Sequence, residues 1–217
     1  MTQYSFRKYQ PLGLRLWHWL NALAILGLLA TVLLRKTFLS WRSNAALIEA
    51  KLQEAGTAIT PEVAKDIAVS IRNPMWDWHV YLGFTLGALL LIRIMVGLLV
   101  VKKCPATHAV QSAWNLKKVP QKEKGSAIHY TLVKTGYAFF YLATLFMVTS
   151  GILMQFKTEL GLGKEAIGVI KEIHEMMMWF FVVFVVGHLL GVVIAENRGD
   201  RGLVSDMIHG GEKEKGS

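Results

Sequence analysis

Two histidines, His174 and His188, lie in the fourth apolar segment of the chain, in the run Ile-His-Glu-Met-Met-Met-Trp-Phe-Phe-Val-Val-Phe-Val-Val-Gly-His. Fourteen residues make close to four turns of an α-helix, so both imidazoles would lie near one face, about 21 Å apart along the axis. An ionisable residue inside a membrane span is costly and usually functional. Because neutral imidazole binds iron well, two on one face suggest two stacked haems and an electron path across a bilayer.

Four apolar segments must position these histidines. The chain has 217 residues, of which 53% are apolar, and a mean hydropathy of +0.38. A helix that crosses about 30 Å of hydrocarbon needs roughly 20 residues. Four stretches are long enough, and they lie near 12–34, 75–101, 128–154 and 173–195. We therefore predict an all-α integral membrane four-helix bundle that forms one domain over residues 1–217.

Charge and cysteine content exclude several classes of protein. The net charge is +9, but the basic residues flank apolar segments, which favours a membrane protein in contact with lipid over a nucleic-acid-binding protein. Cys104 is the single cysteine. One thiol excludes an intrachain disulfide, a Cys-x-x-Cys-His haem attachment and a cysteine-held iron–sulfur cluster within this chain. Any haem is therefore predicted to be non-covalent.

Loop charges predict the orientation. The 102–127 connection is rich in lysine and has Glu123 as its one acidic residue, which places it in the cytoplasm, and Arg7, Lys8 and Arg15 point the same way. We predict a bacterial inner-membrane protein with both termini and the 196–217 tail in the cytoplasm. The long 35–74 loop is then outside, with one helix ended by Gly56 and another begun by Thr60-Pro61. An amphipathic excursion without a partner is the alternative interpretation of this loop.

This topology sorts four histidines into two pairs by depth. His18 and His188 fall at the cytoplasmic level and form the inner pair, whereas His79 and His174 fall at the outer level and form the outer pair. Each pair predicts one b-type haem with two axial imidazoles, a common arrangement in helix bundles. The alternative for each histidine is an interfacial side chain that reaches the lipid headgroups.

Other residues add candidate roles around these haems. Arg93, inside the second span, and Arg15 would neutralise haem propionates, or else reach lipid phosphates. His129 and Lys134 open the third span and would border a quinone pocket, or else are interfacial residues. Glycines near the ligands would open slots for flat macrocycles: Gly27, Gly83, Gly87, Gly136, Gly187 and Gly191.

Three segments resemble a known family, the di-haem cytochrome b subunit of membrane-bound nickel–iron hydrogenases, which is related to the gamma subunit of formate dehydrogenase N. Arg15-Leu16-Trp17-His18-Trp19-Leu20-Asn21-Ala22-Leu23 is similar to the first-span signature of the family. The last-span signature is matched by the spacing of His174, Trp179, Phe181, Phe184 and His188. Gly202-Leu203-Val204-Ser205-Asp206-Met207-Ile208 resembles the segment that follows. Glu175 and Val32 depart from the family pattern and put the identity of the partner enzyme in question.

The resemblance implies the same two histidine pairs, a quinone site near the inner haem and a partner on the outer face. In formate dehydrogenase N the start of the third span lines the quinone site, where His129 and Thr131 lie in this chain. The expected partner is a periplasmic oxidoreductase subunit, either an iron–sulfur small subunit or a multihaem cytochrome. The expected function is electron transfer between that oxidoreductase and the quinone pool. Alternatives are a quinol-oxidising anchor for a periplasmic reductase, a free-standing quinone or superoxide oxidoreductase, and a haem-free transporter.

Overall fold

The computed structural model describes residues 9–101, 114, 119–121, 124–198 and 202–211. Six α-helices lie in these ranges: α1 (Leu12–Lys36), α2 (Trp41–Glu54), α3 (Pro61–Val96), α4 (Lys124–Gln155), α5 (Lys164–Arg198) and α6 (Leu203–His209). A π-helical segment, Gly97–Val101, extends α3. The described residues contain no strand, so the all-α prediction is confirmed. Most of the lysine-rich connection, together with Cys104, Arg7 and Lys8, lies outside the described residues.

Four helices of the described chain are long and apolar enough to cross a membrane. These segments are Leu12–Lys36, Pro61–Leu99, Ala127–Gln155 and Lys164–Asn197. Each contains most or all of one predicted span, which confirms the number of membrane helices that hydropathy predicts. The helices around the second and fourth predicted spans begin well before those spans do.

The start of α3 shows why the 35–74 loop is shorter than predicted. The helix begins at Pro61, after Thr60, whose hydroxyl accepts a hydrogen bond of 3.4 Å from the Val63 amide. It then continues through Pro74 into the membrane segment. A proline inside a helix removes one backbone hydrogen bond but is tolerated in membrane helices. The second helix predicted for the loop is therefore the first part of α3.

The chain divides into two compact units, and one of them comprises residues 22–86. It contains the second part of α1, all of α2 and the first part of α3. Ala64 and Ala68 are fully buried there, and the Lys65 ammonium lies 5.4 Å from the centre of the Trp41 ring. A positive φ of 79° at Gly56 ends the first loop helix, as the sequence predicts.

The other unit comprises residues 1–21 and 87–217. Within it α4 and α5 pack antiparallel, because Ser150 contacts His174 while Phe140, earlier in α4, contacts Phe184, later in α5. These contacts bring the apolar faces of two membrane helices together. Phe140 and Phe181 are buried in this packing.

The short helix α6 docks against the beginning of α1 in the same unit. The Trp19 indole donates a hydrogen bond of 3.0 Å to the Met207 carbonyl, and the Arg15 guanidinium donates to the carbonyl of Ile208. The Gln10 amide donates to the Gly210 carbonyl at 2.8 Å. The first-span signature and the tail segment, which the sequence treats as separate motifs, are therefore bonded to each other.

Candidate functional site

The two histidines of the inner pair lie on different helices, with their rings close together. His18 comes from α1 and His188 from α5, and the centroids of their imidazole rings lie 6.2 Å apart with planes inclined by 59°. Both residues belong to the same compact unit. Two residues that are 170 positions apart in the chain thus converge, and the sequence-based pairing of His18 with His188 agrees with this geometry.

Aromatic side chains surround the inner pair. Phe184 lies one turn before His188 and its ring is parallel to the imidazole, with centroids 6.1 Å apart and an angle of 3°. The ring of Phe140 on α4 stacks on Phe184 at 4.8 Å. On the other side, the Trp19 indole meets His18 edge-on at 5.4 Å. These rings give the site an apolar wall of the kind that lines cofactor pockets.

Arg93 is held beside the first-span signature. Its Nε donates a hydrogen bond of 3.2 Å to the Tyr141 hydroxyl, and its guanidinium lies 5.3 Å from the centre of the Trp17 ring. The Trp17 indole in turn donates to the Leu89 carbonyl at 2.8 Å. A guanidinium has five N–H donors, so the bond to Tyr141 leaves capacity for a carboxylate.

Arg15 has a different environment from Arg93. Its guanidinium bonds to the Ile208 carbonyl and ties α6 to α1, while its Nε is buried without a hydrogen-bond partner in the described part of the chain. The bond from Arg15 to the Ile208 carbonyl has a structural role. A propionate at the buried Nε would supply the acceptor that this atom lacks.

The two histidines of the outer pair are each oriented by a hydroxyl group. In the unit of residues 22–86, His79 Nδ1 lies 2.7 Å from Thr31 Oγ1, and the ring stacks on Trp76 at 4.5 Å and 4°. In the other unit, His174 Nδ1 lies 2.7 Å from Ser150 Oγ. The pairing of His79 with His174 stays a sequence-based prediction.

The three candidate quinone residues do not share one face of α4. His129 is exposed, whereas Thr131 is 7% exposed and its hydroxyl has no hydrogen-bond partner among the described residues. Lys134 is partly buried, with its ammonium 5.2 Å from the Tyr130 ring centre and 5.9 Å from that of Tyr137. At 3.6 residues per turn, Thr131 and Lys134 lie on one side and His129 on the other.

Comparison with known families decides the class of the protein. A family model described as prokaryotic cytochrome b561 matches residues 9–210, almost the whole chain. The chain belongs to the prokaryotic cytochrome b561 family. No curated protein and no solved structure matches the chain significantly. Membership in the cytochrome b561 family makes the chain a membrane haem b electron-transfer protein.

The inner pair fits the haem b that the cytochrome b561 family binds. When two imidazoles hold the same metal ion between them, each with a ring nitrogen about 2.0–2.1 Å from the ion, their ring centroids lie about 6 Å apart. The described residues include no group of three or more His, Cys, Asp or Glu that would hold a bare metal ion. Two opposed imidazoles leave four coordination positions to other ligands, and a porphyrin supplies four nitrogens.

Glycines beside the inner pair also fit a flat macrocycle. A Cβ added to Gly187 or Gly191, which flank His188, would meet no atom within 4 Å. Gly83 and Gly136 likewise border open space. Gly27 and Gly87 do not, because a Cβ there would lie 2.9 Å from the Leu82 side chain and 3.0 Å from that of Val148, respectively. These two glycines therefore serve helix packing.

Sequence reasoning missed the hydroxyl partners of the histidines and the tyrosine partner of Arg93. A signal for the hydroxyls was present. Thr31 and Ser150 are polar residues near the ends of the first and third predicted spans, at the level where the topology places the outer pair. A polar side chain at the depth of a candidate ligand is a reasonable candidate partner, because a metal-binding imidazole usually donates its other ring N–H to a hydrogen-bond acceptor. Tyr141 gave no comparable signal.

Proposed function

We propose that this cytochrome binds two haems and transfers electrons between a periplasmic oxidoreductase and the membrane quinone pool. The observation that carries the proposal is the 6.2 Å approach of His18 and His188, which suits two imidazoles that would hold one iron between them. Bound haem b supplies a one-electron carrier whose iron alternates between the ferric and ferrous states. If His18 and His188 both held the iron, they would leave it no open position for oxygen, which favours electron transfer over oxygen chemistry.

A second haem is supported by the continuity of α5. The helix runs without interruption from Lys164 to Arg198, so His174 lies about 21 Å from His188 along its axis. We assign His174 and His79 to the second haem, because the topology predicted from the loop charges puts both at the outer level. One haem near each side of a hydrocarbon layer of about 30 Å would carry electrons across it.

The remaining residues bind and orient these groups. Arg93 would neutralise a propionate of the inner haem, and its bond to Tyr141 would fix the direction of the guanidinium. Phe140 and Phe184 would exclude water from the porphyrin face. Arg15 would hold the signature helix to α6 and meet a second propionate at Nε.

A quinone site near the inner haem is supported by Thr131 and Lys134. The buried hydroxyl of Thr131 lacks a protein partner among the described residues and suits a quinone carbonyl. Lys134 on the same side would supply a proton, and His129, being exposed, would connect the site with water. The resemblance to hydrogenase and formate dehydrogenase subunits supports the periplasmic partner, in which an iron–sulfur or multihaem subunit would exchange electrons with the outer haem.

A haem count in variants of the inner pair tests the core of this proposal. We expect His18→Ala and His188→Ala each to lose one haem per chain in a pyridine haemochrome assay. Because both variants remove ligands of the same iron, the double variant should lose no more than either single variant. Loss of both haems in the double variant, with one lost in each single variant, would show that the two residues serve different irons.

Redox titration of both haems, in the presence of candidate quinones, then decides the direction of electron flow. Haem potentials below that of the quinone pool favour quinone reduction, and potentials above it favour a quinol-oxidising anchor. Rapid reduction of the isolated chain by superoxide, without partner subunits, would instead support the free-standing oxidoreductase.

A further inference from the structure

Two hydroxyl groups make the same contact with two different histidines. Thr31 Oγ1 lies 2.7 Å from His79 Nδ1, and Ser150 Oγ lies 2.7 Å from His174 Nδ1. Thr31 and Ser150 are both buried. Each contact lies within one compact unit of the chain, so the two are independent observations.

The backbone decides which group is the donor in these contacts. Thr31 Oγ1 also lies 2.7 Å from the Leu28 carbonyl oxygen, and Ser150 Oγ lies 2.7 Å from that of Phe146. Two oxygens approach that closely only with a proton between them, and the hydroxyl has the one available proton. The hydroxyl therefore donates to the carbonyl and accepts from Nδ1–H. Each imidazole then has its proton on Nδ1 and its lone pair on Nε2.

We infer that Thr31 and Ser150 are positioning residues, each of which fixes the tautomer and the plane of the histidine that it contacts and so tunes the potential of the haem that this histidine binds. The inference rests on the proposed function, because it takes His79 and His174 as iron ligands. An acceptor at Nδ1 makes an imidazole more basic and so favours ferric iron. A hydroxyl that is already polarised by its bond to a carbonyl is a moderate acceptor, stronger than a lone hydroxyl and weaker than a carboxylate.

The indole of Trp76 also restricts the orientation of the His79 ring. It covers one face of the imidazole in a parallel stack, and the Arg35 guanidinium lies 4.3 Å from the centre of the indole on α3. A hydroxyl at the ring edge and an indole on the face together define the ring plane. In the described part of the chain, neither inner histidine has a hydroxyl bonded to its ring nitrogen, so the effect should be confined to one haem.

The test uses Thr31→Val and Ser150→Ala in the full-length holoprotein. We expect both haems to be retained and one midpoint potential to rise in each variant, since the loss of the acceptor makes the ligand less basic. The low-spin electron paramagnetic resonance signal of the same haem should shift, because the ring plane is no longer fixed. Thr31→Ser and Ser150→Thr keep the hydroxyl and should match the wild type.

Thr144→Val is the matched control. Thr144 is a buried α4 residue, 1% exposed, whose hydroxyl donates to the Phe140 carbonyl at 2.8 Å, as Ser150 does to Phe146, but makes no hydrogen bond to a histidine among the described residues. Unchanged potentials and resonance signals in Thr31→Val and Ser150→Ala, or the same shifts in Thr144→Val, would overturn the inference. Haem loss in Thr31→Val but not in Thr31→Ser would support the inference, because valine keeps the shape of the threonine side chain and serine keeps its hydroxyl.

Failure of this inference can be distinguished from failure of the proposed function. If the wild type holds two haems and His79→Ala and His174→Ala each lose one, the ligands are those proposed, and unshifted hydroxyl variants overturn the positioning role alone. If both histidine variants keep two haems, the ligand assignment itself is wrong.

Discussion

A guanidinium inside an apolar helix is stable only when other groups replace the water that it loses. Arg93 meets this condition through the Tyr141 hydroxyl and the face of the indole of Trp17, the residue that precedes His18. The side chain is thus held in a fixed place beside the first-span signature. A fixed positive charge near a haem favours the ferrous state, because reduction removes a positive charge from the iron.

Removal of this charge should lower the potential of the inner haem. At an effective dielectric constant of about 20 and a separation of roughly 10–15 Å, one charge contributes on the order of 1 kcal/mol. For a one-electron couple this corresponds to a decrease of roughly 50 mV in Arg93→Leu. Spectroelectrochemical titration would measure it. Arg93→Lys should keep most of the potential, and an equal decrease in Arg93→Lys would show that charge is not the cause.

Gly191 offers a steric test of the inner site. It lies one turn after His188, and a Cβ there would meet no atom within 4 Å. A leucine would project into the space assigned to the porphyrin, so Gly191→Leu should lose about one haem per chain. Gly168→Leu is the control, because Gly168 also lies in α5, borders open space and is far from His188. Retention of both haems in Gly191→Leu would place the macrocycle elsewhere.

At the scale of elements, hydropathy predicted the four membrane helices but not their ends. The start of α3 at Pro61 was readable, since Thr60 and a proline at the first helical position form a familiar helix start. The continuation of α3 through Pro74 could not be predicted, because proline usually ends a helix in a soluble protein and the sequence does not show what surrounds this proline. Nor does local sequence show that α6 bonds to the start of α1, since that contact joins residues almost 200 positions apart.

The attachment of α6 to α1 can be tested at Gly210. This residue has φ of 107°, and a Cβ there would lie 3.3 Å from Arg15 Cζ. An alanine would be strained by about 1–2 kcal/mol and would displace the guanidinium from Ile208. Gly210→Ala should therefore lower the thermal midpoint at which the inner haem is lost, followed at the Soret band. Gly13→Ala, where a Cβ meets nothing within 4 Å, should leave that midpoint unchanged or slightly higher. Equal midpoints for both variants would contradict a stabilising role of this contact.

At the scale of the whole molecule, loop charges assign a depth to every span end, and from these depths the sequence predicts two histidine pairs. His18 and His188 lie 6.2 Å apart, a proximity that periodicity alone does not give, and their role as a ligand pair stays a prediction, as does the pairing of His79 with His174. The hydroxyls at His79 and His174 and the tyrosine at Arg93 needed coordinates, since each lies on a different helix from the group it contacts. The partner enzyme and the direction of electron flow depend on surfaces and potentials that neither composition nor fold specifies.

The order of electron transfer is a property of the whole molecule that can be measured. If quinol donates next to the inner haem, His18→Ala should retain an outer haem that dithionite reduces but a quinol does not. His79→Ala, the matched variant, should retain an inner haem that quinol still reduces. Stopped-flow spectra of both variants in lipid vesicles would show this. Rapid quinol reduction of the remaining haem in His18→Ala would place the quinone site at the opposite side.

The most direct test of a shared helix is the haem content of the wild type, His174→Ala and His188→Ala, each measured per chain together with its reduced spectrum. We predict two haems in the wild type and one in each variant. The haems that the two variants retain should differ in spectrum and potential, because we propose that α5 provides one ligand to each iron. A wild-type protein with a single haem, or two variants that retain the same haem, would contradict the claim that α5 serves two cofactors.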